Sequence, residues 1–535
     1  MKTIVTRVCL AVFAVLATAL PPAIADEVVF RRGNEDDPES LDPARSDTWL
    51  ALNLHNDLFE GLTTLDSHDQ PHPAVAESWK VSPDGLTWTF TLKPGLKWSD
   101  GSPLVAQDFV YAIRRVADPA VASTYAFLMF PLQNAHEIVE GKIKDLSKLG
   151  VEAPDARTLK FTLVRPVPYF LTLMAHDKFM PVPKAAVEKW GMAWTQPEHI
   201  VSNGAFKLQE WTPQSRIVAV RNPNYREAAK VKIDKVIYYP IASPTEELNR
   251  FRAGELDLTY EAPQNQLENL RQTMGGELVG EDQYRTVWWG FNMKQAPFKD
   301  NPKLRKAMSL VIDRALIRDK VTHTGNPIAY GIVPDVGDPN YVAQKVSWAD
   351  MPMPERVALA KQLYREAGYG PDKPLTVSVK LVADENMRKM IIAMANMWQT
   401  TLGLKVELVP EEFKQLLAER HLKGPDLQLF QDRWIGDYPD ATTFLDSYVT
   451  GEGENDSGYS NPAYDALITE AEKSTDIKKR AELLQKAEAV ALEDNPIIPM
   501  YTELHWHLTK AYVKGPHESP CGYFYSKDIT IEPHS

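Results

Sequence analysis

Once its first 25 residues are set aside, this chain keeps one cysteine, and that limits its fold more than any other feature. Lys2 and Arg7 form a positive flank, Val8 to Leu20 is a short apolar run, and Ala23-Ile24-Ala25 supplies small residues before Asp26. The pattern reads as a cleavable secretory signal peptide. The apolar run of about 13 residues is too short for the roughly 20 of a spanning helix, and no later segment approaches that length. Cys9 lies inside the run rather than at its end, so a lipid-anchored lipoprotein is not expected. Cys521 then stands alone. An exported chain with a single thiol has no internal disulfide, so its stability must come from buried apolar surface, which 510 remaining residues supply. At about 150 residues per domain, two to four domains are expected.

Charge narrows the function. The full chain carries 59 Lys plus Arg against 72 Asp plus Glu, a formal charge of −13. Loss of Lys2 and Arg7 with the leader makes it −15. No stretch concentrates cations as a phosphate-neutralising face requires, which argues against a nucleic-acid partner. Basic amphipathic helices for a membrane surface are missing too. A hydrophobic share of 44% and a charged share of 24% fit a soluble globular chain.

Leu86 to Leu92 alternates apolar residues with threonine, which predicts a strand with Leu86, Trp88, Phe90 and Leu92 on one face, after the turn Ser82-Pro83-Asp84-Gly85. Further strands are expected at 158–163, 216–221, 235–240, 375–382 and 404–409. Helical periodicity marks 302–321, 355–367 and 476–494, the last with Asp476 as cap. The proline-rich segment 325–354 reads as a long loop. Strands and helices are mixed throughout, as in an α/β chain.

Catalytic templates return little. There is no nucleophile elbow, phosphate loop, H-E-x-x-H helix or cysteine cluster. Cys521 reads as a small packed side chain. On a strand, His505 and His507 share a face as a metal pair needs, but no third ligand is visible nearby. No metal and no cofactor is expected.

The run from Ala76 through Leu92, followed by Lys97-Trp98-Ser99-Asp100-Gly101-Ser102-Pro103 and Asp108-Phe109-Val110-Tyr111, closely resembles the signature of the family 5 solute-binding proteins of bacterial ABC importers. Within that family it is similar to the oligopeptide-binding branch. The likeness continues through Ser40-Leu41-Asp42-Pro43, Asp57-Leu58-Phe59-Glu60-Gly61-Leu62, Ser202-Asn203-Gly204-Ala205-Phe206, Arg221-Asn222-Pro223-Asn224-Tyr225 and Tyr459-Ser460-Asn461-Pro462. The resemblance implies a two-lobed periplasmic-binding-protein clamp (Venus flytrap) with mixed sheets and an accessory domain. By analogy, lobe I is 26–59, 186–284 and 506–535, the accessory domain is 60–185, and lobe II is 285–505. It further implies a periplasmic monomer that binds a peptide and delivers it to an inner-membrane ABC permease.

The same resemblance supplies site residues. In Trp434-Ile435-Gly436-Asp437-Tyr438, the family pattern Trp-x-x-Asp-Tyr makes Asp437 the carboxylate that grips the peptide amine, an ammonium that needs a fixed partner once out of water. Trp434 is expected to wall a side-chain pocket. Tyr125, Tyr260, Trp288 and Trp289 fall where the family lines its cleft, with at most one of the two tryptophans facing the ligand. Asp47 is placed near the ligand's amine, and Arg420 near its carboxylate. Here the chain departs from its family: Arg420 lies two residues farther from Trp434, and other positions for cations hold Thr322, Met387 and Gln431, with His323 and Arg388 adjacent. That departure points to a restricted ligand, such as a modified or cell-wall peptide. Two other readings stay open: the same clamp carrying a nickel chelate, haem or sugar, and a secreted hydrolase using Asp437 with Asp440.

Overall fold

Side-chain period and backbone agree most closely at Thr87–Leu92, where Trp88, Phe90 and Leu92 are buried and the threonines between them half-buried. The computed structural model describes residues 27–534 except 337, 339 and 383; the expected leader lies outside the described residues. Three sheets carry the architecture. The first orders its strands Val29–Gly33, Lys235–Tyr239, Arg216–Arg221 and Phe206–Thr212, with the first pair parallel and the others antiparallel. The second, Ala76–Val81, Thr87–Leu92, Thr158–Thr162 and Val151–Glu152, is antiparallel. The third runs Lys405–Glu411, Thr376–Val382, Leu429–Ile435, Leu278–Phe291 and Ile497–Leu508, parallel at one end and antiparallel at the other. The fold is thus α/β with mixed sheets.

The first two sheets share one core. Phe30 and Val236 belong to the same buried cluster as Phe90, Phe161 and Phe170, and Phe90 meets Phe161 edge-on at 5.7 Å. Buried Glu60 strengthens that union, because Arg226 Nε and Tyr225 Oη, just beyond the first sheet, each donate to its carboxylate at 2.6 Å. The third sheet has its own core around Tyr284, Trp289, Trp398 and Leu484. Two cores make two mechanical bodies.

Leu278–Phe291 and Ile497–Leu508 join those bodies. Leu508 packs in a small cluster with Leu248 and Phe251, while Ile497 and Phe291 lie in the core of the third sheet. Their ladder is interrupted between Asp282 and Thr286. The crossing expected at 284–285 therefore falls within a paired strand, not in a linker. After Leu508 the chain touches both bodies: Ile529 joins the first core, and Cys521 and Tyr523 join the core of the third sheet. Residues 506–535, expected in lobe I, thus contact both bodies.

Several expected elements need adjustment. The helix expected over 302–321 breaks into Pro302–Leu310, a short turn at Arg314–Leu316 and a wide turn at Ile317–Thr322. The cause is local: Asp313 accepts the Leu316 N–H at 2.9 Å, and the buried Arg314 guanidinium donates to the Pro499 carbonyl at 2.7 Å. Ile477–Asp494 forms as expected, with Asp476 accepting from Lys478 and Lys479. Among the described residues no helix is long and apolar enough to cross a membrane.

Phe90→Ala removes a fully buried ring from the shared core and is expected to lower stability by about 3–5 kcal/mol. An unchanged urea midpoint, followed by tryptophan fluorescence, would show that the accessory sheet does not depend on that ring.

Candidate binding site

The site begins where the Leu429–Ile435 strand ends. Gly436 donates its N–H to the Tyr284 carbonyl at 2.8 Å, and a Cβ there would sit 2.3 Å from Tyr284 Cδ1, so the chain turns at the only residue type that fits. Asp440 then fixes the turn from inside. Its buried carboxylate accepts from Arg480 Nη1 and Nη2 at 2.6 and 2.9 Å and from Thr442 Oγ1 at 2.6 Å. Burial opposes its charge, but Arg480 holds its carboxyl below the ordinary carboxylate range. Tyr438 stacks face-on against Tyr169 of the 60–185 segment, centroids 4.1 Å apart.

That rigid turn presents Asp437, which is half-buried. Its N–H donates to Thr443 Oγ1 at 3.2 Å. The basic side chain nearest it in the field is His176, whose ring is 2.8 Å from Asp177. Burial pushes the Asp437 carboxyl up to about 6. Tyr125 lies in the same neighbourhood: burial, then Asp437, Asp177 and Asp47, push its phenol up. Asp47 itself is exposed and accepts from Thr124 Oγ1 at 3.3 Å. Asp437, Asp47 and Tyr125 thus gather from three distant parts of the chain around a carboxylate that has no ion pair among the described residues.

Beside this point a cleft of about 690 Å³ opens between the bodies. Arg32, Glu35, Trp49, Tyr260 and Glu261 line one wall; Arg420, Gln431, Arg433 and Ile435 line the other. Tyr501, Glu503, His505 and His507, alternate residues of the strand joining the bodies, form its floor. Several of these charges are already matched. Glu503 lies 2.7 Å from Arg285 and Glu518 lies 2.9 Å from His505. Burial opposes a charge on His505, but Glu518 raises it to about 9; burial and that charged neighbour lower His507 to about 3. A protonated His505 cannot donate a lone pair, and the described residues contain no group of three or more side chains suited to hold a metal.

The other expected residues separate. Tyr260 lines the cleft and meets His505 edge-on at 5.7 Å. Trp434 is half-buried, donates to Thr443 Oγ1 at 3.3 Å, and with Trp288 bounds a cavity of about 20 Å³. Trp289 is fully buried in the core of the third sheet, so it is corrected to a packing residue. Arg420 reaches the cleft, but its guanidinium is paired with Asp432 and lies 2.9 Å from Asp456, which leaves it no free face for a ligand carboxylate. Expectation also missed Arg433 and Glu35. Alternation along Leu429–Ile435 was the available signal for Arg433, since it shares a face with Gln431.

Three comparisons place this geometry among known proteins. The model of the bacterial extracellular solute-binding proteins, family 5, matches residues 70–456. The chain is 38% identical over 531 residues to the periplasmic oligopeptide-binding protein OppA of Salmonella typhimurium, covering 98% of this chain and 97% of that one. It is 37% identical to the probable deoxycholate-binding periplasmic protein YgiS of Escherichia coli, covering 96% and 95%. The Haemophilus influenzae OppA complex with RPPGFSPFR superposes with a TM-score of 0.79 at 34% identity, covering 95% of this chain and 99% of that one.

The raised Asp437 carboxyl has a consequence for stability. Its ordinary value is 3.8, so between about pH 4 and 6 the folded protein holds a proton that the unfolded chain has lost. Stability therefore falls as pH rises through that window and stays lower above it. Asp437→Asn is expected to stabilise the ligand-free protein by about 1–2 kcal/mol at pH 7.5 and to change little at pH 4. Thermal melts at the two pH values check this; equal shifts at both would contradict the burial argument.

Proposed function

The chain belongs to the bacterial extracellular solute-binding proteins, family 5, and from that premise we propose that it is the periplasmic binding component of an ABC importer for peptides. The carrying observation is Asp437, a desolvated carboxylate on a rigid turn with no ion pair among the described residues. A peptide's ammonium terminus is the complementary group, and contact through a terminus lets one site accept many sequences. Asp47 and Tyr125 flank the amine, Tyr260 meets the peptide in the cleft, and Trp434 with Trp288 walls a side-chain pocket. Closure bends the two strands that join the bodies, buries the ligand and offers an altered outer surface to a membrane permease.

Members of this family are binding proteins, and the carboxylate pair a hydrolase would use is broken up, because Asp440 is spent on Arg480. A relative is named for deoxycholate, an anion with no amine. The unpaired Asp437 favours an ammonium ligand over such a molecule, and His505, held by Glu518, gives no support to a metal chelate.

Native mass spectrometry of protein purified from a periplasmic fraction is expected to show intact peptides bound one to one. By calorimetry, Asp437→Asn is expected to cost a peptide ligand about 3–5 kcal/mol, because the buried ammonium loses its partner. Undiminished affinity in that variant would sink the assignment.

A further inference from the structure

Taken one at a time, the cations along the cleft are nearly all occupied. Arg285 is paired with Glu503, Arg420 with Asp432 and Asp456, and His505 with Glu518. Arg32 Nε and Nη1 have no hydrogen-bond partner among the described residues, but its guanidinium is buried between the rings of Tyr238 and Phe524, at 5.3 and 4.8 Å, and is held there by the aromatic faces. Gln431 is engaged as well, its side-chain oxygen accepting the Val382 N–H at 3.1 Å. Arg433 differs. It is exposed, lines the cleft, and among the described residues its guanidinium has neither an ion pair nor a hydrogen bond.

Its position follows from strand register. Arg433 stands opposite Val287, whose other neighbour is Tyr501, so Arg433 and Tyr501 flank Val287 on the cleft face. The groups that feel its charge are Glu35 across the cleft, and Tyr501 and Glu503 on the floor. Glu503 is already committed to Arg285. A guanidinium is a planar fork of donors that fits a carboxylate through two parallel hydrogen bonds.

We propose that Arg433 receives a carboxylate of the ligand, making the clamp selective for short peptides that carry one. This rests on the reading of Asp437 as the amine anchor. The two are four positions apart, so their Cα atoms are at most about 14 Å apart, the span of an extended peptide of about four residues. Asp437 and Arg433 then hold opposite ends of a zwitterion along one edge of the cleft. The carboxylate is either the ligand's terminus or an acidic side chain near that end; both present the same fork-matching group.

The test is calorimetry on the ligand-free protein with three probes: Ala-Ala-Ala, its C-terminal amide, and Ala-Ala-Glu amide. Ala-Ala-Ala is expected to bind at least 10-fold more tightly than its amide, and recovery by Ala-Ala-Glu amide would place the receptor on side-chain carboxylates too. In Arg433→Gln the three probes should bind alike, at the level of the wild-type amide. In Asp437→Asn all three should weaken together, which keeps the two roles separate. Equal binding of acid and amide by the wild type, or a preference that survives Arg433→Gln, overturns Arg433 as the receptor while leaving Asp437 in place. Failure of the wild type to bind any probe overturns the amine anchor and this inference with it.

Discussion

The ladder between Leu278–Phe291 and Ile497–Leu508 is the constraint on which the rest of the molecule depends. It joins a body built from two sheets with one core to a body built from a third sheet with its own core. Because the two strands are paired, relative motion of the bodies must bend or twist a ladder instead of swinging on a loose linker. The interruption between Asp282 and Thr286 is where that ladder is weakest. The same strands furnish the floor of the cleft through Tyr501, Glu503, His505 and His507. The backbone that lines the cleft and the backbone that joins the bodies are thus one stretch.

Charge in the cleft is organised by what is already paired. Arg285 with Glu503, His505 with Glu518, and Arg420 with Asp432 and Asp456 fix side chains in place and are electrostatically quiet toward a ligand. Removing one member of such a buried pair leaves the other uncompensated, which is costly and tends to preserve the arrangement. Asp437 and Arg433 stand outside these pairs. An unmatched charge in a desolvated place destabilises the free protein and is relieved by a ligand of opposite sign. The protein's tolerance of a carboxyl pushed up to about 6 at Asp437 is understandable on that basis, since rigid support from Asp440 and Arg480 keeps the turn from collapsing onto another partner.

What could be read from the sequence was what depends on near neighbours. Alternation placed Trp88, Phe90 and Leu92 on one buried face, and the cap residue Asp476 marked a helix start, because both are set within a few residues of chain. The motif around Trp434 and Asp437 falls on the end of the Leu429–Ile435 strand and the turn that follows it. The 302–321 helix misled because its apolar stripe continues past Val311, while the Asp313 cap and the tertiary bonds of Arg314 break it.

Tertiary structure decided the remaining questions of the site. Both Trp288 and Trp289 lie in the core of the third sheet, and only its packing leaves Trp288 bordering the small cavity beside Trp434. Whether Arg420 or Arg433 is free depends on Asp456, a carboxylate far along the chain from Arg420. Single-cysteine chemistry required a large buried core, and the sequence alone established that requirement. That there are two cores and an interrupted ladder between them, with Asp437 and Arg433 outside any ion pair among the described residues, follows from contacts between residues hundreds of positions apart. Local sequence cannot encode those contacts, because the energy of each charge is set by burial and by partners that only the fold brings near.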